Sequence, residues 1–356
     1  MPAVERNESL RRSRSVRRER GSPTFGLNWR ASPVMSTTRD RGATPEIRPQ
    51  EVAVAVATYR RPHLLRACLE SLRDIDPSPK TVIVVDNDST GLADPDSLLP
   101  AAATWQLEYI HEPVPGISAA RNAAVRRAMG IGVTWLAFID DDEVADKKWL
   151  GELLSSLTRS AADAASGSVE VQLEQGGRQG ITADDFRKPV PADGTQLRFA
   201  STANLVVSVD ALRGVSEDGA VFDVGLGMIG GSDTFLTARL SSLGCTIVAS
   251  PGAVVTETIP AERQTFGWLR RRRMRQAGIY VEVQRRVLRD RWWRLRRIAS
   301  ALRDTTGGAT LWLIGWFDRT PVRRERARVV LARGWGTWLG LAGRLVAEYE
   351  RNPARD

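Results

Sequence analysis

Cysteine and histidine are almost missing from this 356-residue chain, which has two of each. Cys68 and Cys245 cannot build a disulfide framework or a cysteine-based metal site. His63 and His111 cannot build a histidine-rich one. Both cysteines fall in apolar-patterned segments, which predicts buried free thiols in a reducing compartment. No apolar stretch reaches the about 20 residues that a spanning helix needs. The arginine-rich N-terminus lacks the apolar core of a signal peptide. A GxxxxGKS/T loop is absent, which argues against an ATPase. No GxGxxG follows the first strand pattern, which argues against a dinucleotide site.

Charge is plentiful and unevenly spread. The formal net charge is +9. Residues 1–50 carry 11 Arg against 5 acids, residues 51–258 carry 17 Lys and Arg against 28 acids, and residues 259–356 carry 23 Arg against 9 acids. An acidic middle therefore lies between two basic ends, and the average misleads about partners.

Residues 1–48 are rich in Arg, Ser, Pro and Thr without an apolar period, which predicts a disordered basic tail. Two readings of it stay open: a tail that touches anionic lipid or nucleic acid, or an over-extended start ahead of Met35. Order begins at EVAVAVATYRRP (51–62), where alternating Val and Ala suit a buried strand and Pro62 opens a helix at its first position. Residues 62–73 carry Leu64, Leu65, Cys68, Leu69 and Leu72 on one helical face. TVIVVD (81–86) is a strand buried on both faces. A helix over 118–129, a strand over 134–140 and a helix over 147–158 continue the alternation. This order predicts an α/β fold with a parallel, doubly wound sheet. Strands are then expected at 166–173, 199–210 and 245–250, with a helix at 233–244. The division expected is a tail (1–48), a catalytic domain (49–258) and a helical, Arg- and Trp-rich region (259–356).

Ligands of such sheets collect beyond the carboxyl ends of the strands. Three strands end in polar signatures there: TYRRP (58–62), DNDS (86–89) and DDD (140–142). Carboxylates this close raise one another's pKa unless a cation compensates. A hard divalent ion, Mg²⁺ or Mn²⁺, takes one or two carboxylates and fills its shell with water and phosphate oxygens. That suits a diphosphate leaving group.

The order TYRRP, VVDNDS (84–89), GISAARN (116–122), FIDDD (138–142) and GGSD (230–233) resembles glycosyltransferase family 2, over about residues 51–290. The stretch EPVPGISAARN (112–122) is similar to bacterial exopolysaccharide glycosyltransferases. The resemblance implies a GT-A, Rossmann-like fold with a mostly parallel sheet, and inverting transfer from a nucleotide-diphosphate sugar donor. It implies that Thr58 and Tyr59 line the nucleotide base. It also implies that Asp86 and Asn87 stand where an acidic pair reads the base, with an amide in the second place. Arg121 is implied near the base and phosphates, Asp140 on the ribose and the metal, and Asp142 on the metal. Asp233 is implied as the catalytic base, with Ser232 where the family has Glu. Glu257 stands where some relatives place a metal-binding His. The Gln-x-x-Arg-Trp motif of the processive synthases is absent, which points to transfer of a single sugar.

Residues 268–297 are dense in Arg, and the C-terminal third holds seven of the eleven Trp. TTGGATLWLIGWF (305–317) is uncharged, and in 329–347 Trp335, Trp338, Leu339, Ala342, Leu345 and Val346 recur at helical spacing. The first is too short to span a bilayer and the second is broken by Arg333 and Arg344, and Trp with Arg beside short apolar faces fits helices in the membrane interface. The alternative is a helical subdomain packing its Trp on the catalytic core. No nucleic-acid module is recognisable, so nucleic acid is not expected as a partner. The expected partners are the donor, a glycan or lipid-linked acceptor, and the inner face of the cell membrane. Among Arg270 to Arg273 the sequence does not choose which touches the donor diphosphate. Two rival readings remain, a sugar-nucleotidyltransferase of similar fold and an inactive membrane-docked relative.

Overall fold

Alternation of Val and Ala sets the two faces of the first strand, β1 (Val52–Thr58). Its period of two turns Val52, Val54 and Val56 to one layer and Ala53 and Ala55 to the other. In the computed structural model of the chain, residues 46–346 are described, apart from 92–99, 102, 178–179, 189, 228 and 289–290. The expected basic tail lies outside the described residues except for its last three.

The strands that follow are β2 (Thr81–Asp86), β3 (Gln106–His111), β4 (Trp135–Asp140), β5 (Glu143–Ala145), β6 (Ala164–Leu173), β7 (Gln196–Leu197), β8 (Asn204–Ser208) and β9 (Ile247–Ile259). The helices are α1 (Pro62–Asp74), α2 (Ile117–Gly130), α3 (Trp149–Ser160), α4 (Val209–Val215), α5 (Val224–Gly227), α6 (Ser232–Ser242), α7 (Phe266–Arg286), α8 (Trp293–Phe317) and α9 (Pro321–Leu341). The sheet order is β3-β2-β1-β4-β8-β6-β9-β5, with β7 also on β9.

The β3-β2-β1-β4 half is parallel throughout, as the alternation of strands and helices predicts. Beyond it β8 runs antiparallel to both β4 and β6, so the whole sheet is mixed. Helices α1 and α3 cover one face through Leu65, Leu69, Trp149 and Leu153. The alanines of α2 cover the other, where Ala53 and Ala55 let Ala120, Ala123 and Ala124 approach. Cys68 is a buried free thiol, as expected, whereas the Cys245 thiol is only half-buried.

Several boundaries differ from the sequence reading. Strand β3 was not expected, because an edge strand is half-exposed and QLEYIH has no clean apolar period. The strand expected at 199–210 is only β8, since Val209 already opens α4. The strand expected at 245–250 starts at Ile247 and runs on to Ile259. Pro251 and Gly252 look like a stop but are absorbed in a bulge facing Gly167 and Ser168. Buried Asn204 fills that bulge, donating to Ser168 O at 2.9 Å and Ala253 O at 2.8 Å while accepting from Trp149 Nε1 at 2.9 Å.

At the C-terminal end α9 packs between α7 and α8. Glycine lets these helices touch backbone to backbone. A Cβ at Gly336 would lie 2.0 Å from Met274 O of α7. Buried Asp304 of α8 accepts from Nε and Nη2 of Arg333 of α9, at 2.7 and 2.8 Å. Among the described residues no helix is long and apolar enough to cross a membrane.

Candidate active site

Strand register brings the three polar endings side by side. Ala57 pairs with Asp140, and Thr58 pairs with Asp86. The acids of 140–142 then diverge. Asp140 accepts from Arg121 Nη2 at 2.7 Å. Asp141 accepts from Thr58 Oγ1 at 2.8 Å. Asp142 faces Arg61 Nη1 at 3.2 Å and Arg263 Nη1 at 4.0 Å. Glu143 is buried, and its carboxylate takes the Asp140 backbone N–H at 3.0 Å. In β5 it pairs with Glu257 of β9.

The crowding shows in the acidities. Burial, reinforced by Asp140, pushes the Glu143 carboxyl well above its ordinary value. Burial pushes Asp141 up to about 6, against the Thr58 hydrogen bond that lowers it. Asp142 and Glu257 are also raised, first by burial and then by a neighbouring carboxylate. Such a group is relieved by positive charge.

Asp140, Asp142, Glu257 and Asp233 line one cavity of about 600 Å³. Asp233 sits in the first turn of α6, just after Gly230 and Gly231. Its Oδ1 accepts the Thr234 N–H at 2.6 Å and its Oδ2 accepts from Ser201 Oγ at 3.2 Å. Gly231 has φ +88°, and a Cβ there would lie 2.2 Å from Ile279 Cγ2 of α7. The turn is therefore pressed against α7, and only glycine fits it. Ser232, where the family resemblance expects Glu, is buried and lines the same cavity.

The lining is also rich in cations. Arg263, Arg271, Arg272 and Arg275 line the cavity with Lys188, and Arg272 lies over the Trp268 ring at 5.1 Å. The Arg run of α7 is thus sorted by helical geometry. Arg271, Arg272 and Arg275 share the cavity face, while Arg270 pairs with Glu325 and Arg273 donates to Asp185 O. The spacing of Trp268, Arg271, Arg272 and Arg275 is that of one helical face, a signal already present in the sequence. Lys188, Arg263 and Val346 carried no such signal.

Arg121 lines the same cavity, whereas Thr58, Tyr59, Asp86 and Asn87 do not. Tyr59 is exposed, with the Arg60 guanidinium 5.2 Å from its ring centre. Asp86 accepts from Tyr109 Oη at 3.0 Å. The Asn87 amide donates to Glu112 O at 2.8 Å and Val114 O at 2.7 Å and accepts from Gly116 N at 2.7 Å. It braces the 112–116 segment that leads into α2. Asp88, which the sequence reading passed over, is held well below the usual carboxylate range by Arg60. Asn122, within the GISAARN stretch, is a structural clamp. Its Oδ1 takes the Val221 and Phe222 N–H groups at 2.9 and 2.8 Å.

Every donor on the acidic wall is a carboxylate oxygen, which fits Mg²⁺ or Mn²⁺ and not a soft metal. Among the described residues no three His, Cys, Asp or Glu side chains are grouped to hold a metal by themselves. An ion here would take Asp140 and Asp142 and complete its shell from water and phosphate oxygens.

The profile of Glycosyl transferase family 2 matches residues 53–214. The succinoglycan biosynthesis protein ExoM of Rhizobium meliloti is 32% identical over 251 residues, which is 68% of this chain and 78% of that protein. The glycosyltransferase AglE of Haloferax volcanii is 27% identical over 274 residues, 76% of this chain and 82% of that one. Among solved structures, the mannosyltransferase PcManGT of Pyrobaculum calidifontis superposes with a TM-score of 0.55 at 17% identity, covering 85% of this chain and 90% of that one. The sheet with its flanking helices is thus of the GT-A type, and a helical C-terminal region follows it.

Proposed function

Because the chain belongs to glycosyltransferase family 2, we propose that it moves a single sugar, with inversion, from a nucleotide-diphosphate donor to a hydroxyl of a glycan or lipid-linked glycan. The observation that carries this reading is the meeting of Asp233 with Asp140 and Asp142 in one cavity. In the proposed step the acceptor oxygen attacks the anomeric carbon, the bond from that carbon to the diphosphate breaks, and the nucleoside diphosphate leaves. The acceptor proton passes to the Asp233 carboxylate. Ser201 Oγ and the Thr234 N–H hold that carboxylate in place, with one oxygen each. Asp140 and Asp142 would hold Mg²⁺ or Mn²⁺, which neutralises charge on the diphosphate when bound. Arg271, Arg272 and Arg263, which line the same cavity, would meet phosphate oxygens.

Tyr59 and Asp86 would flank the nucleotide from the β1 and β2 ends. Asn87, spent on the 112–116 brace, would shape the base site through the backbone. Under this reading the enzyme works as a peripheral protein at the inner membrane face, docked through its C-terminal region.

The test is thermal shift with a panel of nucleoside diphosphates, with and without Mn²⁺, followed by transfer assays with the matching sugar donors. Metal-dependent stabilisation by one nucleotide, and loss of transfer in Asp233→Asn, are expected. No shift with any nucleotide would overturn the reading.

A further inference from the structure

The sequence offers two apolar stretches near the C-terminus, and the structure spends them differently. In 329–347 the apolar residues of α9 are half-buried apart from Trp335, and Gly336 and Gly340 seat the helix on α7. Leu345 reaches Gly278 of α7, and Val346 lines the catalytic cavity. That stretch is consumed by packing. The other stretch, in α8, is not.

Helix α8 is two-faced. Ala301, Asp304, Gly308 and Gly315 are buried towards α9, where a Cβ on Gly308 would lie 2.8 Å from Leu331 Cγ. Leu295, Leu302, Leu313, Trp316 and Phe317 lie on the opposite side and are between 49% and 77% exposed. Their spacing of seven, eleven and four residues is a helical stripe, not scattered surface leucine. A monomer that stays in water rarely exposes such a stripe.

Charge identifies what covers it. From Thr305 to Phe317 no side chain is charged. Arg294 and Arg303 precede this segment, and Arg319 and Arg323 follow it. Of the acids alongside, Asp304 is buried against Arg333 and Asp318 is paired with Arg323. The uncharged segment is roughly 20 Å long at 1.5 Å per residue, too short to cross the about 30 Å hydrocarbon layer. It is long enough to lie along the layer's surface, with Trp and Phe at acyl depth and guanidinium groups at phosphate level.

We propose that the outward face of α8 is the membrane-docking surface, lying flat in an anionic bilayer. The proposal rests on the membrane contact read above and assigns that contact to one side of one helix.

The experiment is flotation of the full chain with phosphatidylcholine vesicles, with and without phosphatidylglycerol, beside a Leu313→Asp/Phe317→Asp variant. The basic N-terminal tail is common to both proteins, so any difference belongs to α8. Wild type is expected to float only with the anionic vesicles and to release at high salt. Its Trp fluorescence should shift to the blue and be quenched by brominated acyl chains. The variant should lose roughly tenfold or more in vesicle affinity. Its nucleoside diphosphate thermal shift should be unchanged, which separates this outcome from a failure of the transferase reading. A Leu313→Ser/Phe317→Ser pair gives the same readout if the Asp pair does not fold. Equal flotation of variant and wild type would overturn the proposal, as would no flotation of wild type. A concentration-dependent dimer that the variant abolishes, without vesicle binding, would assign the face to a second copy and also overturn it.

Discussion

The Thr58 hydroxyl donates to the Asp141 carboxylate at 2.8 Å, tying the middle acid of the triplet back to the end of β1. Arg61 Nη1 reaches both Asp141, at 3.4 Å, and Asp142, at 3.2 Å, while Arg121 takes Asp140. Asp141 is therefore expected to hold the β4 end in place while Asp142 serves the metal. Asp142→Asn should abolish the extra stabilisation that Mn²⁺ confers with a nucleoside diphosphate, whereas Asp141→Asn should retain it. Thr58→Val should cost about 1–3 kcal/mol in urea unfolding, because a buried carboxylate loses the nearer of its two side-chain donors. Equal loss of the metal effect in both Asp variants would remove the division of labour.

Asp233→Asn keeps the size of the side chain and an oxygen for Ser201 or Thr234 but cannot take a proton. Turnover should fall by about 10²–10⁴-fold. The melting temperature and nucleotide affinity should stay near wild type, since the acid's partners are local. Turnover close to wild type would place the base elsewhere.

Asn87→Ala removes the partner of three backbone groups, at Glu112, Val114 and Gly116. The expected cost is about 1–3 kcal/mol, read by urea unfolding. Because the braced segment opens α2, which carries Arg121, nucleotide affinity should fall as well. Asn87→Asp, which keeps only the acceptor for Gly116, should be nearly as damaging. Unchanged stability in both variants would show the brace to be dispensable.

A pH prediction comes from Glu282, a buried acid of α7. Burial alone raises its pKa, but hydrogen bonds from Arg285 and Arg286 outweigh it and hold the carboxyl below the usual range. A lowered folded-state pKa contributes stability that is full above the unfolded value and fades as pH falls through the folded one. Glu282→Gln should thus be less stable than wild type at neutral pH, by about 1–2 kcal/mol. The two unfolding curves should converge on acidification. A gap that stays constant with pH would assign the effect to packing.

Local pattern carried much of this molecule. Pro62 marked the start of α1, and Leu65, Cys68, Leu69 and Leu72 form its buried face. β1, β2 and β4 follow their apolar runs, and the motifs at their ends carried the family. These features are local because strand period, helix period and Pro geometry are set by neighbours in sequence. Edge strand β3 escaped because half-burial erases the apolar signal. The run of β9 through Pro251 escaped because its bulge exists only beside Gly167 and Asn204. In the cavity, Asp140 and Asp142 were legible as a strand end and Asp233 through the GGSD motif. The cations were not sorted until α7 had a face and a neighbour.

What the sequence by itself determined is the chemistry on offer: a parallel half-sheet ending in carboxylates, an acid after two glycines, and an Arg- and Trp-rich C-terminal region. Only the tertiary structure decided how these are spent. It tied Asp141 to Thr58 and brought Asp233 to the cavity that Asp142 lines. It also buried one apolar stretch against α7 while leaving the other, in α8, facing outwards. The reason is physical. Residue type and spacing fix what a side chain can do, but which partner it meets depends on the register of distant strands and on which helix can come close enough to cover it.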